Sequence, residues 1–385
     1  MLKFTVVFIS FVLLSSTAVV GILPEIRDSL GISQTQSELL ISVPSIATLV
    51  FVIVSDMFIK RIGLKKTVVI GLVVSGLSGL APLLNDTGYG FLLISRFLFG
   101  AGKGLIYTPS VNLINSLFKE GERPSLIGYR SATEMLGQSL MTFGMGLLII
   151  FGWRYSFLVN SSFFLIAFMV WKFIPNNKNN GSEMDFEAKR VPGIVFPLSL
   201  FIGLIALSSS MIAFRFPAML TEIRGPGYNA SFWVALKPIL GIIAASFFGK
   251  LYFKIGKNLM YIGTLFLIIS QLMFGFSNNN YTILVVGFLL SSFVLGWIIP
   301  VIINLISRIT NGKQQRRATA LILVCANVGI FIMPFWVNII EMITNNTQLT
   351  APYSFMSIIV LISIIIIITT GNNNVIRKKV GLYHD

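Results

Sequence analysis

The sequence predicts an all-α membrane protein of twelve transmembrane helices in two six-helix bundles, and three observations predict it. Hydrophobic residues make up 55% of the 385 residues, charged residues only 11%, and the mean hydropathy is +0.85. Soluble domains carry about 25% charged residues, so this chain has too few to cover a surface in water. The other two observations are a series of long apolar runs and a long internal repeat.

The apolar runs are long enough to cross a bilayer, which takes about 20 residues. They fall at about 4–23, 38–59, 67–84, 91–116, 127–150, 156–174, 194–214, 231–253, 259–277, 282–306, 318–342 and 352–370. We therefore predict an N-terminal bundle over 1–174, a cytoplasmic linker over 175–193, a C-terminal bundle over 194–370 and a cytoplasmic tail over 371–385.

The repeat relates the two predicted bundles. Ile62-Gly63 in the turn after the second span matches Ile255-Gly256 in the turn after the eighth, an offset of 193 (256 − 63). Asn112 and the Leu-Ile pair after it match Asn304 and the same pair in the tenth span, an offset of 192 (304 − 112). Duplicated halves of this kind are typical of secondary transporters.

The net charge of +15 does not indicate a nucleic-acid partner. Most of the 29 Lys and Arg residues fall on one side of the predicted membrane, and Arg27, Arg154, Arg215 and Arg224 are assigned to outer loops. The positive-inside rule then places both termini in the cytoplasm. We expect the protein in the inner (cytoplasmic) membrane.

The residue types needed for most enzyme chemistry are scarce. The chain has one cysteine, Cys325, and one histidine, His384, beside the C-terminus, and it has no P-loop motif for ATP. We therefore expect no metal site, no cofactor and no enzymatic activity, with a polytopic membrane enzyme kept as a remote alternative.

Three motifs resemble signatures of the major facilitator superfamily. The family's loop motif after the second span of each half, G-x-L-a-D-r-x-G-r-k, is matched by Gly249 to Asn258 and, more weakly, by Asp56 to Lys66. Its fourth-span motif is matched by Leu92, Arg96, Gly100 and Gly102, and G-W-R-x-x-F by Gly152 to Phe157. The resemblance implies the twelve-helix fold and transport by alternating access.

Two departures from the family pattern affect the implied roles. Lys60 stands where the family has an aspartate in the first-half loop, and Asp56 lies one turn earlier. The resemblance implies a charge latch between spans, formed by Asp56, Lys60, Arg61, Gly63, Gly249, Lys254 and Gly256, whereas simple anchoring on the cytoplasmic side is the alternative. The fifth-span antiporter signature survives only as Gly128, Gly137 and Gly146.

Charged groups inside a span cost about 2.5–3.5 kcal/mol each on insertion scales and are therefore functional candidates. Arg96 and Lys103 in the fourth span are seven residues apart, so they share one helix face about 10 Å apart. Glu134 is the only carboxylate predicted well inside a span, and it is the candidate for proton coupling, together with Arg96. The alternative is internal pairing, in which Glu134 neutralises Arg96 or Lys103 or pairs with Arg130 at i,i+4. Lys237, near the end of its span, either binds substrate or extends to water.

The excess of cations over acids predicts an anionic substrate. Gln138, Asn112, Tyr107, Asn304 and Asn327 are further polar candidates, with helix-to-helix hydrogen bonding as their alternative role. We expect a monomeric secondary active transporter that moves a small organic anion or zwitterion, by antiport or symport with protons, with efflux favoured. A flippase for lipid or glycolipid and a sensor that binds without transport stay open as alternatives.

Overall fold

The computed structural model describes residues 1–84, 88–175, 191–310 and 312–372, without the side chains of residues 295, 312, 313, 316 and 369–372. Most of the predicted linker and of the predicted tail, His384 included, therefore lies outside the described residues. Regular structure in the described part of the chain is entirely helical.

Fourteen α-helices follow one another along the described chain. They are α1 (Leu2–Phe8), α2 (Leu23–Leu30), α3 (Gln34–Ile62), α4 (Leu64–Leu80), α5 (Tyr89–Leu117), α6 (Arg123–Leu148), α7 (Ser162–Phe173), α8 (Val195–Arg224), α9 (Ser231–Ile255), α10 (Asn258–Gly275), α11 (Tyr281–Leu290), α12 (Ser292–Ile309), α13 (Gly312–Thr344) and α14 (Ala351–Asn372). Short 3-10 stretches cover Ile9–Val12, Ser15–Ile22, Ala81–Leu83, Ile149–Phe151 and Tyr155–Ser161.

The number of spans agrees with the sequence. Within the described residues, eleven helical segments have the length and apolar composition to cross a membrane. The segments Leu2–Val12 and Ser15–Leu30, bent by 44° at a short break, make a twelfth if they count as one span. The prediction of a multi-pass, all-α membrane protein is confirmed, and the first span differs from the prediction because it is broken and extends to Leu30.

The described residues fall into two compact units. The first contains the described part of Met1–Met184 together with Pro217–Ile239, and the second contains the described parts of Asp185–Phe216 and Leu240–Asp385. The division crosses α8 between Phe216 and Pro217 and α9 between Ile239 and Leu240. Pro217 and Pro238, the prolines inside these helices, lie at or next to the two boundaries. The bundle boundaries drawn from the sequence stay a prediction.

In the first unit, α5 packs tightly between α3 and α4 through glycines. A Cβ on Gly100 would overlap the backbone of Pro44 in α3, and one on Gly104 would lie 2.7 Å from the carbonyl oxygen of Thr48. On the α4 side, a Cβ on Gly102 would lie 2.6 Å from the Gly71 carbonyl oxygen. Small residues let membrane helices approach this closely, and the approach fixes the depth and direction of the other α5 side chains.

Two of the three glycines left from the fifth-span signature lie at equally close contacts in the first unit. A Cβ on Gly137 would overlap the Phe11 carbonyl of the first span, and one on Gly146 would overlap the side chain of Ser231. Gly128, in the same helix α6, faces open space. Gly137 and Gly146 are therefore required for close helix packing, whereas Gly128 is not.

Aromatic contacts join α8, α10, α11 and α14 in the second unit. The rings of Phe216 and Phe288 stack with centroids 3.9 Å apart, and Phe274 lies 5.0 Å from the ring of Tyr353. The Tyr353 hydroxyl donates to the carbonyl of Met211 in α8 over 3.1 Å. Aromatic packing therefore joins these four helices, and the Tyr353 hydroxyl within it is bonded to a helix backbone.

The substitution Gly137→Ala tests the close approach of α6 to the first span. We expect it to lower the free energy of unfolding by about 1–3 kcal/mol, because the new methyl group overlaps a backbone carbonyl that cannot rotate away. The matched substitution Gly128→Ala should be neutral or stabilise by up to about 1 kcal/mol, since alanine favours a helix over glycine. Thermal unfolding in detergent measures both, and equal Tm values for the two variants would contradict this packing.

Candidate functional site

The first span is broken at a cluster of hydroxyl side chains. Ser15 Oγ donates to the Val12 carbonyl over 2.5 Å, and Thr17 Oγ1 donates to the Leu14 carbonyl over 2.8 Å. Hydroxyls that bond nearby carbonyls compete with regular helix bonding. The chain forms a turn at Leu13 and Leu14 and continues as a 3-10 stretch over Ser15–Ile22. Non-helical backbone at this depth is tolerated where it is buried in protein.

The guanidinium of Arg96 bonds to backbone on both sides of α5. Its Nη2 donates to the carbonyl of Ser16 over 2.6 Å and its Nε donates to the carbonyl of Leu40 in α3 over 2.9 Å. The Arg96 side chain is buried, and its Cζ lies 4.9 Å from the ring centroid of Phe99. Arg96 thus ties three spans of the first unit together.

The ammonium of Lys103 reaches the same serine. Its Nζ donates to Ser16 Oγ over 2.6 Å, and the side chain is only 6% exposed. Lys103 and Arg96 therefore do share one face of α5, as their spacing predicts. Within the described part of the chain, neither cation forms an ion pair with a carboxylate. The hydrogen-bond acceptors of both cations are neutral oxygens, and the Glu134 carboxylate acts on Lys103 without direct contact.

Glu134 pairs with the cation one turn earlier in α6. Its Oε1 lies 2.8 Å from Nη2 of Arg130, and both side chains are largely buried. Arg130 also donates from Nε to Ser110 Oγ over 3.4 Å, and its Cζ lies 5.3 Å from the ring of Tyr107. The structure thus shows the i,i+4 pairing that was the alternative role of Glu134, and it leaves Lys103 and Arg96 as the excess charge.

The other polar candidates of the first unit lie in two places. Gln138 of α6 donates from Nε2 to Thr17 Oγ1 over 2.8 Å, so it bonds to the same broken segment as the two α5 cations. Asn112 is buried on α5, two residues beyond Ser110. The structure therefore brings Arg96, Lys103 and Gln138 together at the break.

The candidates outside this cluster are dispersed. Lys237 is half-buried on α9, beside the in-helix Pro238. Asn304 is half-buried on α12, and Asn327 of α13 donates to the Leu323 carbonyl of its own helix over 2.9 Å. Substrate contact by Lys237 and Asn304 stays a prediction.

The predicted latch residues lie at the ends of α3 and α9. Asp56 is half-buried, whereas Lys60, Arg61, Gly249 and Lys254 are exposed. Gly63 and Gly256 have φ values of +84° and +57°, a backbone region that favours glycine, and each ends its helix. The two repeat-related turns therefore share a glycine with a positive φ, and their role as a latch stays a prediction.

Three charged groups inside helices were missed at the sequence level. Glu38, at the start of α3, is fully buried and accepts a bond from Gln34 Nε2 over 2.9 Å. In the second unit, Arg215 of α8 pairs with Glu341 of α13 over 2.9 Å. Arg215 was assigned to an outer loop, which is wrong because α8 continues to Arg224. Glu134 is therefore not the only carboxylate within a membrane helix.

No group of His, Cys, Asp and Glu side chains suited to a metal ion occurs in the described residues. The chemistry of the candidate site is therefore that of buried cations, hydroxyls and one carboxylate. Binding of an anion or a polar solute by this set, and proton uptake by Glu134, stay predictions.

Comparisons with known proteins give a consistent result. The chain matches the model of the Major Facilitator Superfamily over residues 5–270 and, in an overlapping match, over 198–378. It is 28% identical over 263 residues to the hexuronate transporter of Bacillus subtilis strain 168, which covers 63% of this chain and 61% of that protein.

Two resistance proteins are also similar. The chain is 26% identical over 200 residues to puromycin resistance protein pur8 of Streptomyces alboniger, covering 51% of this chain and 38% of that protein. It is 22% identical over 200 residues to quinolone resistance protein NorB of Staphylococcus aureus strain JH9, covering 51% of this chain and 43% of that protein. The matches span less than two thirds of the length of these curated relatives.

Solved structures show the same fold. The xylose transporter XylE from E. coli in an inward open conformation has a TM-score of 0.74 at 14% identity, covering 94% of both chains. An auto-inhibited peptide transporter of the POT family has a TM-score of 0.75 at 11% identity, covering 96% of this chain and 97% of that chain.

The different partners of the two α5 cations predict different effects on stability. Arg96→Ala leaves two buried carbonyls without their donor and should cost on the order of 3 kcal/mol. Lys103→Met removes a buried charge that has no acid partner and should leave Tm unchanged or raised. Thermal unfolding of the purified variants in detergent measures this contrast. An equal loss of Tm in both variants would contradict the division between the two residues.

Proposed function

Because this chain belongs to the major facilitator superfamily, we propose that it is a secondary active transporter for a small organic anion. It is a multi-pass membrane protein, and the proposal places it in the cytoplasmic membrane, where it acts as a monomer. The observation that carries the proposal is the buried ammonium of Lys103, which has one neutral hydroxyl as its partner.

Lys103 is the anchor for the anion in this proposal, and Arg96 is a positioning residue. An ammonium has three N–H donors, and Ser16 takes one of them. Arg96, by contrast, already binds two carbonyls. A carboxylate on the solute would supply a directly bonded counter-charge, which Lys103 has from none of the described residues, and a buried charge without a bonded partner is costly.

One relative agrees with an anionic solute. The B. subtilis relative is named for hexuronate, which is a sugar that carries a carboxylate. A solute of that class combines one negative charge with several hydroxyls. It would match an ammonium next to Ser16 and Thr17, whose hydroxyls both donate and accept hydrogen bonds.

The ion pair of Arg130 and Glu134 provides a route for proton coupling. While Glu134 is ionised it neutralises Arg130, 2.8 Å away. A proton on Glu134 would leave Arg130 without its counter-ion and would add a positive charge near the anion. Protonation then strengthens anion binding, and by reciprocity the anion strengthens proton binding.

This linkage favours co-transport of the anion with a proton. An inward proton gradient would then drive uptake of the anion. Export by proton exchange, which the sequence analysis favours and which the two resistance proteins support, requires the opposite linkage, in which a proton on Glu134 weakens anion binding. A flippase on the same scaffold stays the second candidate from the sequence.

Binding of D-glucuronate to purified wild type and Lys103→Met tests the proposal. The lysine supplies one charge-assisted hydrogen bond worth about 1.5–3 kcal/mol. Its loss should weaken glucuronate binding about 10- to 100-fold and should change the affinity for neutral D-glucose much less. Isothermal titration in detergent measures both ligands.

The matched control for this experiment is Lys172→Met. Lys172 is an exposed lysine at the end of α7 in the same unit, and its Nζ lies over the rings of Phe168 and Phe173. The Lys172→Met variant should bind glucuronate with the same affinity as wild type. If wild type and Lys103→Met bind glucuronate with equal affinity, or if neither binds it, the role of Lys103 as the anchor for the anion is refuted.

A further inference from the structure

The start of α4 and the end of α7 meet at one end of the first unit. The two helices pack against each other in opposite directions, so that Asn160, just before α7, donates to the Gly79 carbonyl near the end of α4 over 2.9 Å. The same packing brings Lys65, at the start of α4, to Trp171, at the end of α7. The Lys65 Nζ lies 5.3 Å from the centroid of the Trp171 ring.

Positive charge and large exposed apolar side chains occur together at this corner of the first unit. Trp171 and Phe168, one turn earlier in α7, are each 58% exposed. In α4, Lys66 is exposed, Lys65 is half-buried and Ile70, one turn after Lys66, is exposed. A tryptophan and lysines at the ends of spans are typical of the membrane–water interface, where lipid head groups lie.

The polar groups of this corner are not used within the described part of the chain. Lys65 and Lys66 form no ion pair with a described carboxylate. Glu122, in the loop at the same end of the unit, is bound instead by Lys3 over 2.6 Å. The indole N–H of Trp171 donates to no described residue. Two positive charges and one donor therefore face outward beside apolar rings.

The corresponding face of the second unit lacks this combination. At the repeat offset of 193, α10 and α14 are the equivalents of α4 and α7. Lys65 then corresponds to Asn258, and Trp171 corresponds to Ile364. The combination of lysines with an exposed indole therefore belongs to the first half alone and does not follow from the fold or from the repeat.

We propose that Lys65, Lys66 and Trp171 form a binding site for the head group of an anionic phospholipid. The two ammonium groups and the indole N–H bind the phosphate, and the acyl chains lie along Phe168 and Ile70. Lysines next to a span attract anionic lipids, whereas the phosphate of a choline lipid is already neutralised by its own ammonium. The site lies in the leaflet that the sequence predicts to be cytoplasmic, and it does not depend on the identity of the solute.

Lys172, the residue after Trp171, is not assigned to the lipid site. Its Nζ lies over the rings of Phe168 and Phe173 in its own helix, 5.8 and 5.5 Å from their centroids. The alternative to a defined site is general attraction of all cytoplasmic lysines to an anionic surface. In that case the number of lysines matters and their position does not.

Thermal unfolding with added lipid tests the site. Dioleoylphosphatidylglycerol is added to the delipidated full-length protein in detergent, with dioleoylphosphatidylcholine and glycerol 1-phosphate as comparisons. We expect phosphatidylglycerol to raise the Tm of wild type more than phosphatidylcholine does, because a ligand that binds only the folded state stabilises it. Glycerol 1-phosphate, which lacks the chains, should not raise Tm. Equal rises with the two lipids, or a rise with glycerol 1-phosphate equal to that with phosphatidylglycerol, would overturn the lipid site.

Two double variants with the same loss of charge separate position from number. Lys65→Gln with Lys66→Gln should lose most of the additional rise in Tm that phosphatidylglycerol gives. The matched control is Lys250→Gln with Lys257→Gln, two exposed lysines around the repeat-related turn of the second unit, and it should respond as wild type does. If both double variants lose the response equally, or if neither loses it, the lipid site is overturned.

Native mass spectrometry measures the affinity for the first bound phosphatidylglycerol. The loss of Lys65 and Lys66 should weaken it about 5- to 25-fold. Trp171→Leu should weaken it about two- to fivefold, because the ring face beside Lys65 is lost, whereas Trp171→Phe, which keeps a ring, should retain most of the affinity. Wild-type affinity in Trp171→Leu, or an equal loss in Trp171→Leu and Trp171→Phe, would overturn the assignment of the Trp171 ring to the site.

Discussion

Two positive charges from one helix face meet a single serine at the break of the first span, and the first unit depends on this contact. A regular helix would use its carbonyls within the span, whereas the broken segment lets the Ser16 carbonyl accept a bond from Arg96. Close packing of α5 against α3 through Gly100 and Gly104 brings the cations to this depth.

The two cations share a face but not a role. Arg96 presents a fork of donors, which suits two carbonyls in different helices, and it therefore stabilises the bundle. Lys103 presents a compact charge with spare donors beside one hydroxyl. The protein thus keeps in its interior a charge whose hydrogen-bond partner is neutral, and we interpret that charge as the one the solute binds.

The number and order of the spans could be predicted from the sequence, because an apolar run of about 20 residues is the length needed to cross the hydrocarbon core of a bilayer. The shared face of Arg96 and Lys103 and the pairing of Arg130 with Glu134 could also be predicted, since both follow from helix periodicity alone. The partners of Arg96 could not, because they lie 56 and 80 residues away and are backbone carbonyls without a sequence signal. The pair of Arg215 with Glu341 was missed for the same reason, being 126 residues apart.

The two units have diverged in how they use the same repeat. In the first unit, Lys103 and Gln138 bind the hydroxyls of Ser16 and Thr17. At the offset of 193 residues, Ser208 and Ser209 of α8 make no hydrogen bond with any described residue.

The most direct test of this account is the movement of protons when an anion gradient is imposed. In proteoliposomes that contain a pH-sensitive dye, D-glucuronate added outside should carry protons inward with wild type. Glu134→Gln, which cannot gain or lose a proton, should admit glucuronate without the pH change. Acidification that is equal in Glu134→Gln and wild type, or proton movement opposite to glucuronate, would contradict the coupling of the anion to the Arg130–Glu134 pair.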